Sequence, residues 1–96
     1  MASVIITLKL MPASPEVNLD ALFSEAEKHI RAFVDEKHKD GEVRKILEPI
    51  GFGLSALKIM FVMDESVGTT EKLEETLSHT PNVESVEVTD VRRALG

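Results

Sequence analysis

The sequence predicts an α+β sandwich in which one four-stranded antiparallel sheet carries two helices on one face. Three observations lead there. Short apolar, β-branched or alternating runs occur in four places, apolar residues spaced three and four apart occur in two, and the order is strand, helix, strand, strand, helix, strand. Two βαβ crossovers of the usual right hand then place both helices on the same side of the sheet, the ferredoxin-like βαββαβ arrangement.

The first strand, Ser3 to Leu10 (SVIITLKL), is dense in aliphatic residues and stops at Met11-Pro12, with Pro15 soon after. Such apolar content suits a central strand. From Leu19 the apolar positions are Leu19, Leu22, Phe23, Ala26, Ile30 and Phe33, one stripe along a helix, with Asn18 placed to cap its first turn. Glu27 and Arg31 stand four apart on the polar face, an arrangement that adds a few tenths of a kcal/mol.

Asp35 to Lys45 (DEKHKDGEVRK) carries charge without period and reads as a solvated connection. Strand character returns at Val43 to Leu47. Pro49, Gly51 and Gly53 then surround Phe52 before a third strand, Leu54 to Met63. Asp64 to Gly68 is a turn, after which Thr69 or Thr70 can cap a short helix bearing Leu73 and Leu77, ended by Pro81. The last strand shows Val83, Val86, Val88 and Val91 among acidic and polar residues, and Arg92 and Arg93 are expected just past it.

Ninety-six residues suffice for one modest core, so a single domain over 1–96 is expected, folded except for the 35–45 connection and the last residues. Seventeen acidic against eleven basic residues give a net charge of −6, which repels phosphate backbones and anionic membranes. Cysteine is absent, so disulfides, thiolate metal sites and cysteine nucleophiles are excluded. The longest apolar runs, Val4 to Ile6 and Ile59 to Met63, are strand-length, and the N-terminus lacks a basic-then-apolar leader, so a cytoplasmic location is the default.

Function classes each make a demand on this fold. RNA recognition needs aromatics on central strands, yet the chain has four Phe, no Tyr and no Trp, and only Phe61 falls on a strand. His29, His38 and His79 are scattered without metal-site spacing, and ordinary surface histidines are expected. Asp64-Glu65 and Glu74-Glu75 are neighbours whose side chains diverge, which suits solvation better than acid–base work. No phosphate-cradling loop occurs, and Gly51-Phe52-Gly53 is too short for a dinucleotide fingerprint. The expectation is therefore no enzyme, no cofactor, no metal and no direct nucleic-acid contact.

Glu48-Pro49-Ile50-Gly51-Phe52-Gly53 departs from that background. Two glycines free the backbone around a large apolar ring, which either projects outward or folds back as a plug over the sheet edge. At the far end of the chain, Arg92 and Arg93 form an adjacent cationic pair that pattern alone reads as a solubilising terminus.

The GFG segment after EPI, its continuation LSALKI, the turn residues Asp64, Glu65, Val67, Gly68 and Thr69, and the ending VESVEVTDVRR together resemble the elongation factor 1-beta family. The opening VIITLKLMPASPEVNLDAL resembles the same family's first strand and turn, and the length resembles its short archaeal form. That resemblance implies guanine-nucleotide exchange on elongation factor 1-alpha. It implies that Phe52, shaped by Gly51 and Gly53, enters an apolar pocket of the GTPase. It further implies that Arg93, with Arg92 beside it, approaches the partner's magnesium and phosphate site, where eukaryotic members carry a lysine. A planar guanidinium is not interchangeable with an ammonium. The alternatives from residues alone are a small-ligand regulatory domain and a plain protein-interaction module of the same fold.

Overall fold

The computed structural model describes residues 2–94, so the final residues expected to lie outside the fold are themselves outside the described residues. Four strands, β1 (Ser3–Pro12), β2 (Arg44–Gly51), β3 (Leu54–Asp64) and β4 (Val83–Ala94), and two helices, α1 (Leu19–Phe33) and α2 (Glu71–Ser78), follow the predicted order. The sheet order is β2-β3-β1-β4 with antiparallel neighbours throughout, so the apolar β1 is central as expected.

The register explains the core. Val4, Ile6, Leu8 and Leu10 of β1 stand opposite Met63, Phe61, Ile59 and Leu57 of β3, which puts these eight side chains on one face. Leu22, Ala26 and Ile30 from α1 and Leu73 and Leu77 from α2 join them in one buried cluster. Leu19, Phe23 and Phe33 flank it and are half-buried. Phe61, the strand aromatic, is a core residue at 2% exposure and offers no stacking surface.

The uneven spacing of Val83, Val86, Val88 and Val91 has a structural cause. Register shifts against β1 fall between Thr7 and Leu8 and between Met11 and Pro12, leaving Thr89 and Glu84 as extra residues on β4. Each bulge resets the two-residue period, so Val83, Val86, Val88 and Val91 pair with Pro12, Leu10, Leu8 and Ile6 and all face the helices. The same shifts carry β4 further than expected: Arg92 and Arg93 lie inside the strand, opposite Ile5 and Val4, and not beyond it.

β2 likewise extends past its expected end through Pro49 to Gly51. Pro49, which cannot donate to the ladder, is tolerated on this edge strand, where the register shifts between Pro49 and Gly51. Caps divide between agreement and difference. Asn18 Oδ1 accepts from the Ala21 N–H at 3.0 Å; of the two threonines expected to cap α2, the Thr69 hydroxyl accepts from the Glu71 N–H at 3.4 Å, whereas the Thr70 hydroxyl donates to Glu74 at 2.7 Å and caps no backbone group.

The 35–45 connection is built rather than merely solvated. It contains a 3-10 turn, Glu36–His38, and Arg31 reaches across from α1 to donate to the carbonyls of Lys39 and Gly41 at 2.9 Å each while pairing with Glu27 at 2.8 Å. Asp35 accepts the Asp64 N–H at 2.7 Å and the His38 Nδ1–H at 2.8 Å, and His38 Nε2 lies 3.4 Å from the Ser3 hydroxyl. His38 is therefore half-buried and carboxylate-paired, not the ordinary surface histidine expected. Sequence periodicity carries no sign of this, because the partners come from three separate segments.

Burial raises the Asp35 pKa, but the Asp64 N–H and His38 outweigh it and hold the carboxyl below its ordinary value of 3.8. Its contribution to stability is thus complete above pH 3.8 and lost as pH falls through the lower folded value. Asp35→Asn is expected to lose about 1 kcal/mol at pH 7 in urea unfolding. The gap to wild type should narrow below pH 3.8; a constant gap would remove the carboxylate from the explanation.

Candidate partner-binding site

The hairpin between β2 and β3 is closed by Gly51 opposite Leu54, leaving Phe52 and Gly53 as a two-residue turn. Both have positive φ, 55° and 77°, as a type I′ turn requires, and Gly51 precedes them at 127°. Asn-Gly is the unstrained solution for such a turn; a phenylalanine in the left-handed region is a conformational outlier. Its ring gains no compensating contact within the chain, since Phe52 is 102% exposed. The ring projects outward and is no core plug.

The stem below the turn is held by charge. Lys9 and Lys58 stand directly opposite each other on β1 and β3, a destabilising pair in isolation. Glu48 on β2 places its carboxylate 3.6 Å from Lys9 and 3.3 Å from Lys58. The hydrogen bond and charge of Lys58 hold the Glu48 carboxyl below the usual carboxylate range. On the other side, Pro15 lies 3.7 Å from where a Cβ on Gly53 would stand, so the β1–α1 loop backs the turn. Ile46, Leu47 and Ile50, each nearly half exposed, extend the apolar character of Phe52 down the β2 edge. Ile46 and Leu47 fall in the strand expected at Val43 to Leu47 and Ile50 in the segment that departs from it; only the sheet order shows all three to lie on an edge.

Arg92 and Arg93, adjacent in sequence, do not lie side by side in the structure. Successive strand residues face opposite sides, so Arg92 lies on the open face with Nε donating to Asp90 at 2.8 Å, while Arg93 lies on the helix side. Arg93 makes a bidentate contact with Glu65, Nη2 to Oε2 at 2.8 Å and Nε to Oε2 at 3.2 Å, with Nη2 also 3.0 Å from Oε1. An open groove of about 410 Å³, floored by Val4, Met63 and Val91 and rimmed by Glu65, Glu71 and Glu74, lies alongside. Sequence pattern places Glu65 in a turn but does not show its pairing with Arg93, which depends on β3 and β4 both flanking β1.

Phe52 and Arg93 lie at opposite ends of the sheet. Leu54, beside the turn, is nine steps along β3 from Met63, which shares Val4 as a strand neighbour with Arg93. At about 3.3 Å per residue the separation is about 30 Å. Among the described residues no group of three His, Cys, Asp or Glu could hold a metal ion, and no helix is long and apolar enough to cross a membrane.

A fully exposed apolar ring on a left-handed turn backbone is a surface suited to contact with another macromolecule. The comparisons name the family. Residues 5–94 match the model of the EF-1 guanine nucleotide exchange domain, and the chain belongs to that family. It is 45% identical over 95 residues to elongation factor 1-beta of Methanothermobacter thermautotrophicus, covering 99% of this chain and 100% of that protein. It is 43% identical to elongation factor 1-beta of Methanosphaera stadtmanae with the same coverage. With elongation factor 1-beta of Hyperthermus butylicus the identity is 38%, covering 97% and 96%. Among solved structures it resembles the BlrP1 BLUF protein, with a TM-score of 0.55 and 15% identity. That match covers the whole of this chain and 57% of the other, a likeness of fold alone. The function that follows from the family is guanine-nucleotide exchange on elongation factor 1-alpha, and a small-ligand regulatory role is not favoured.

If the turn is strained to present the ring, relieving the strain should stabilise the domain. Phe52→Asn is expected to raise stability by about 1 kcal/mol, several degrees in Tm for a domain of this size. An unchanged or lower Tm by calorimetry would mean that the backbone at residue 52 is not a store of strain.

Proposed function

We propose that the chain, working as one exchange domain over 1–96 in the cytoplasm, holds elongation factor 1-alpha directly at two separated points. Phe52 enters an apolar pocket of the GTPase, with Gly51 and Gly53 setting its direction. Arg93 approaches the phosphate and magnesium site, and Arg92 contributes from the open face. The observation that carries this reading is the complete exposure of Phe52 on a left-handed backbone.

Exchange needs no covalent step. GDP is released faster when a factor binds more tightly to a GTPase conformation whose phosphate site is disturbed than to the intact one. Burying a phenylalanine contributes roughly 1.5–3 kcal/mol, and each 1.4 kcal/mol of differential binding shifts the equilibrium tenfold. One ring therefore accounts for about ten- to hundredfold. Contacts about 30 Å apart on one rigid sheet add selectivity, since only conformations of the GTPase that match the spacing engage both ends. The net charge of −6 supports a protein partner in preference to nucleic acid or an anionic membrane.

The test is release of a fluorescent GDP analogue from elongation factor 1-alpha. Phe52→Ala should keep the fold by circular dichroism and lose about ten- to hundredfold in exchange efficiency. Retention of the wild-type rate would exclude the ring as a contact. Arg93→Ala should lower exchange with less than about 1 kcal/mol change in stability, because exposed ion pairs contribute little.

A further inference from the structure

Arg93 is the end of the proposed contact whose side chain is already engaged within the free protein, and the manner of engagement has consequences. Its backbone is fixed by pairing with Val4. The guanidinium is fixed by Glu65, which occupies the edge formed by Nε and Nη2. A guanidinium carries five N–H donors in a planar fork. A carboxylate bound through Nε and Nη2 leaves both Nη1 donors unspent. Two thirds of the Arg93 side chain remains exposed while so paired. Pairing therefore orients the cation without covering it.

Glu65 is itself anchored from several directions. Its N–H donates to the Ala2 carbonyl at 3.0 Å, and its own carbonyl accepts the Gly68 N–H at 3.1 Å. The preceding Asp64 caps the turn by accepting the Ser66 N–H at 2.9 Å, and the Asp64 N–H is in turn held by Asp35. Gly68 closes the turn at φ 89°, a conformation open to glycine. This is considerable local fixing for a surface carboxylate with a single bidentate partner.

We infer that Glu65 is a positioning residue for exchange: it pre-orients the Arg93 guanidinium so that the Nη1 edge meets an anionic group of the partner's nucleotide site. This rests on the reading of Arg93 given above. A free arginine side chain must be ordered at each encounter, whereas one held by Glu65 arrives ordered. The carboxylate thus assists a contact it does not itself make. A lysine at residue 93 could not be held in the same way, because an ammonium lacks the planar fork.

The experiment is a double-mutant cycle read by GDP release from elongation factor 1-alpha. Glu65→Ala is expected to lower exchange about three- to tenfold, the cost of ordering one long side chain, with an unchanged far-ultraviolet spectrum and Tm. Glu65→Gln, which can still accept one hydrogen bond, should fall between. In an Arg93→Ala background Glu65→Ala should have no further effect, a non-additivity that a merely structural or generally electrostatic role would not produce. Equal losses with and without Arg93 would overturn the inference, and so would unchanged or faster exchange in Glu65→Ala, the last showing that the pair restrains Arg93. If Arg93→Ala alone exchanges at the wild-type rate, the reading beneath fails and this one with it. If Arg93→Ala is slow and Glu65→Ala is normal, only the positioning role is lost.

Discussion

The pairing of β1 with β3 is the constraint on which the molecule depends. Val4, Ile6, Leu8 and Leu10 face Met63, Phe61, Ile59 and Leu57 in an unbroken register, and a slip of one residue would turn the four side chains of the slipped strand away from the core. Because burial fixes that register, the positions of everything attached to the two strands follow. The β2–β3 turn is held at one end of the sheet and the Glu65 turn at the other. β4, paired along β1, carries Arg93 to that second end. The distance between wedge and cation is therefore a consequence of core packing, and packed interiors resist deformation.

Within this frame the molecule treats its two ends differently. At the Asp35 end the polar groups are satisfied internally: carboxylate, imidazole, hydroxyl and backbone N–H form one connected set. At the Phe52 end the chain accepts a backbone conformation that a bulky residue resists, and leaves the ring in water. Neither strain nor exposure has any compensation inside the domain, although Glu48 neutralises the Lys9–Lys58 repulsion immediately below. A sheet that tolerates this at its tip does so because the stem and core are over-determined.

Much of the fold was legible because its signals are local. Period, breakers and the Asn18 cap all act within a few residues, and element order follows from them. What was not legible depends on register. The two bulges of β4 break the period at Glu84 and Thr89, so the strand seems to end before Arg92 when its ladder continues to Ala94. The same reason hid the Arg93–Glu65 pair, the Glu48 bridge and the separation of Arg92 from Arg93 onto opposite faces. Phe52 was legible as an unusual residue but not as an outward one, since two flanking glycines permit either direction.

The proposed two-point contact also explains how so small and acidic a domain can alter another protein. A single patch binds, but binding every conformation of a partner equally changes no equilibrium. Two contacts held at a fixed spacing bind unequally, because each conformation of the partner presents its own spacing. The sheet supplies the ruler, and its stiffness sets the discrimination. A flexible linker of the same length would let each end adapt independently and would forfeit the difference in affinity on which exchange depends. In the proposed two-point contact, the aliphatic first strand and the two-bulge last strand are what hold the two ends apart.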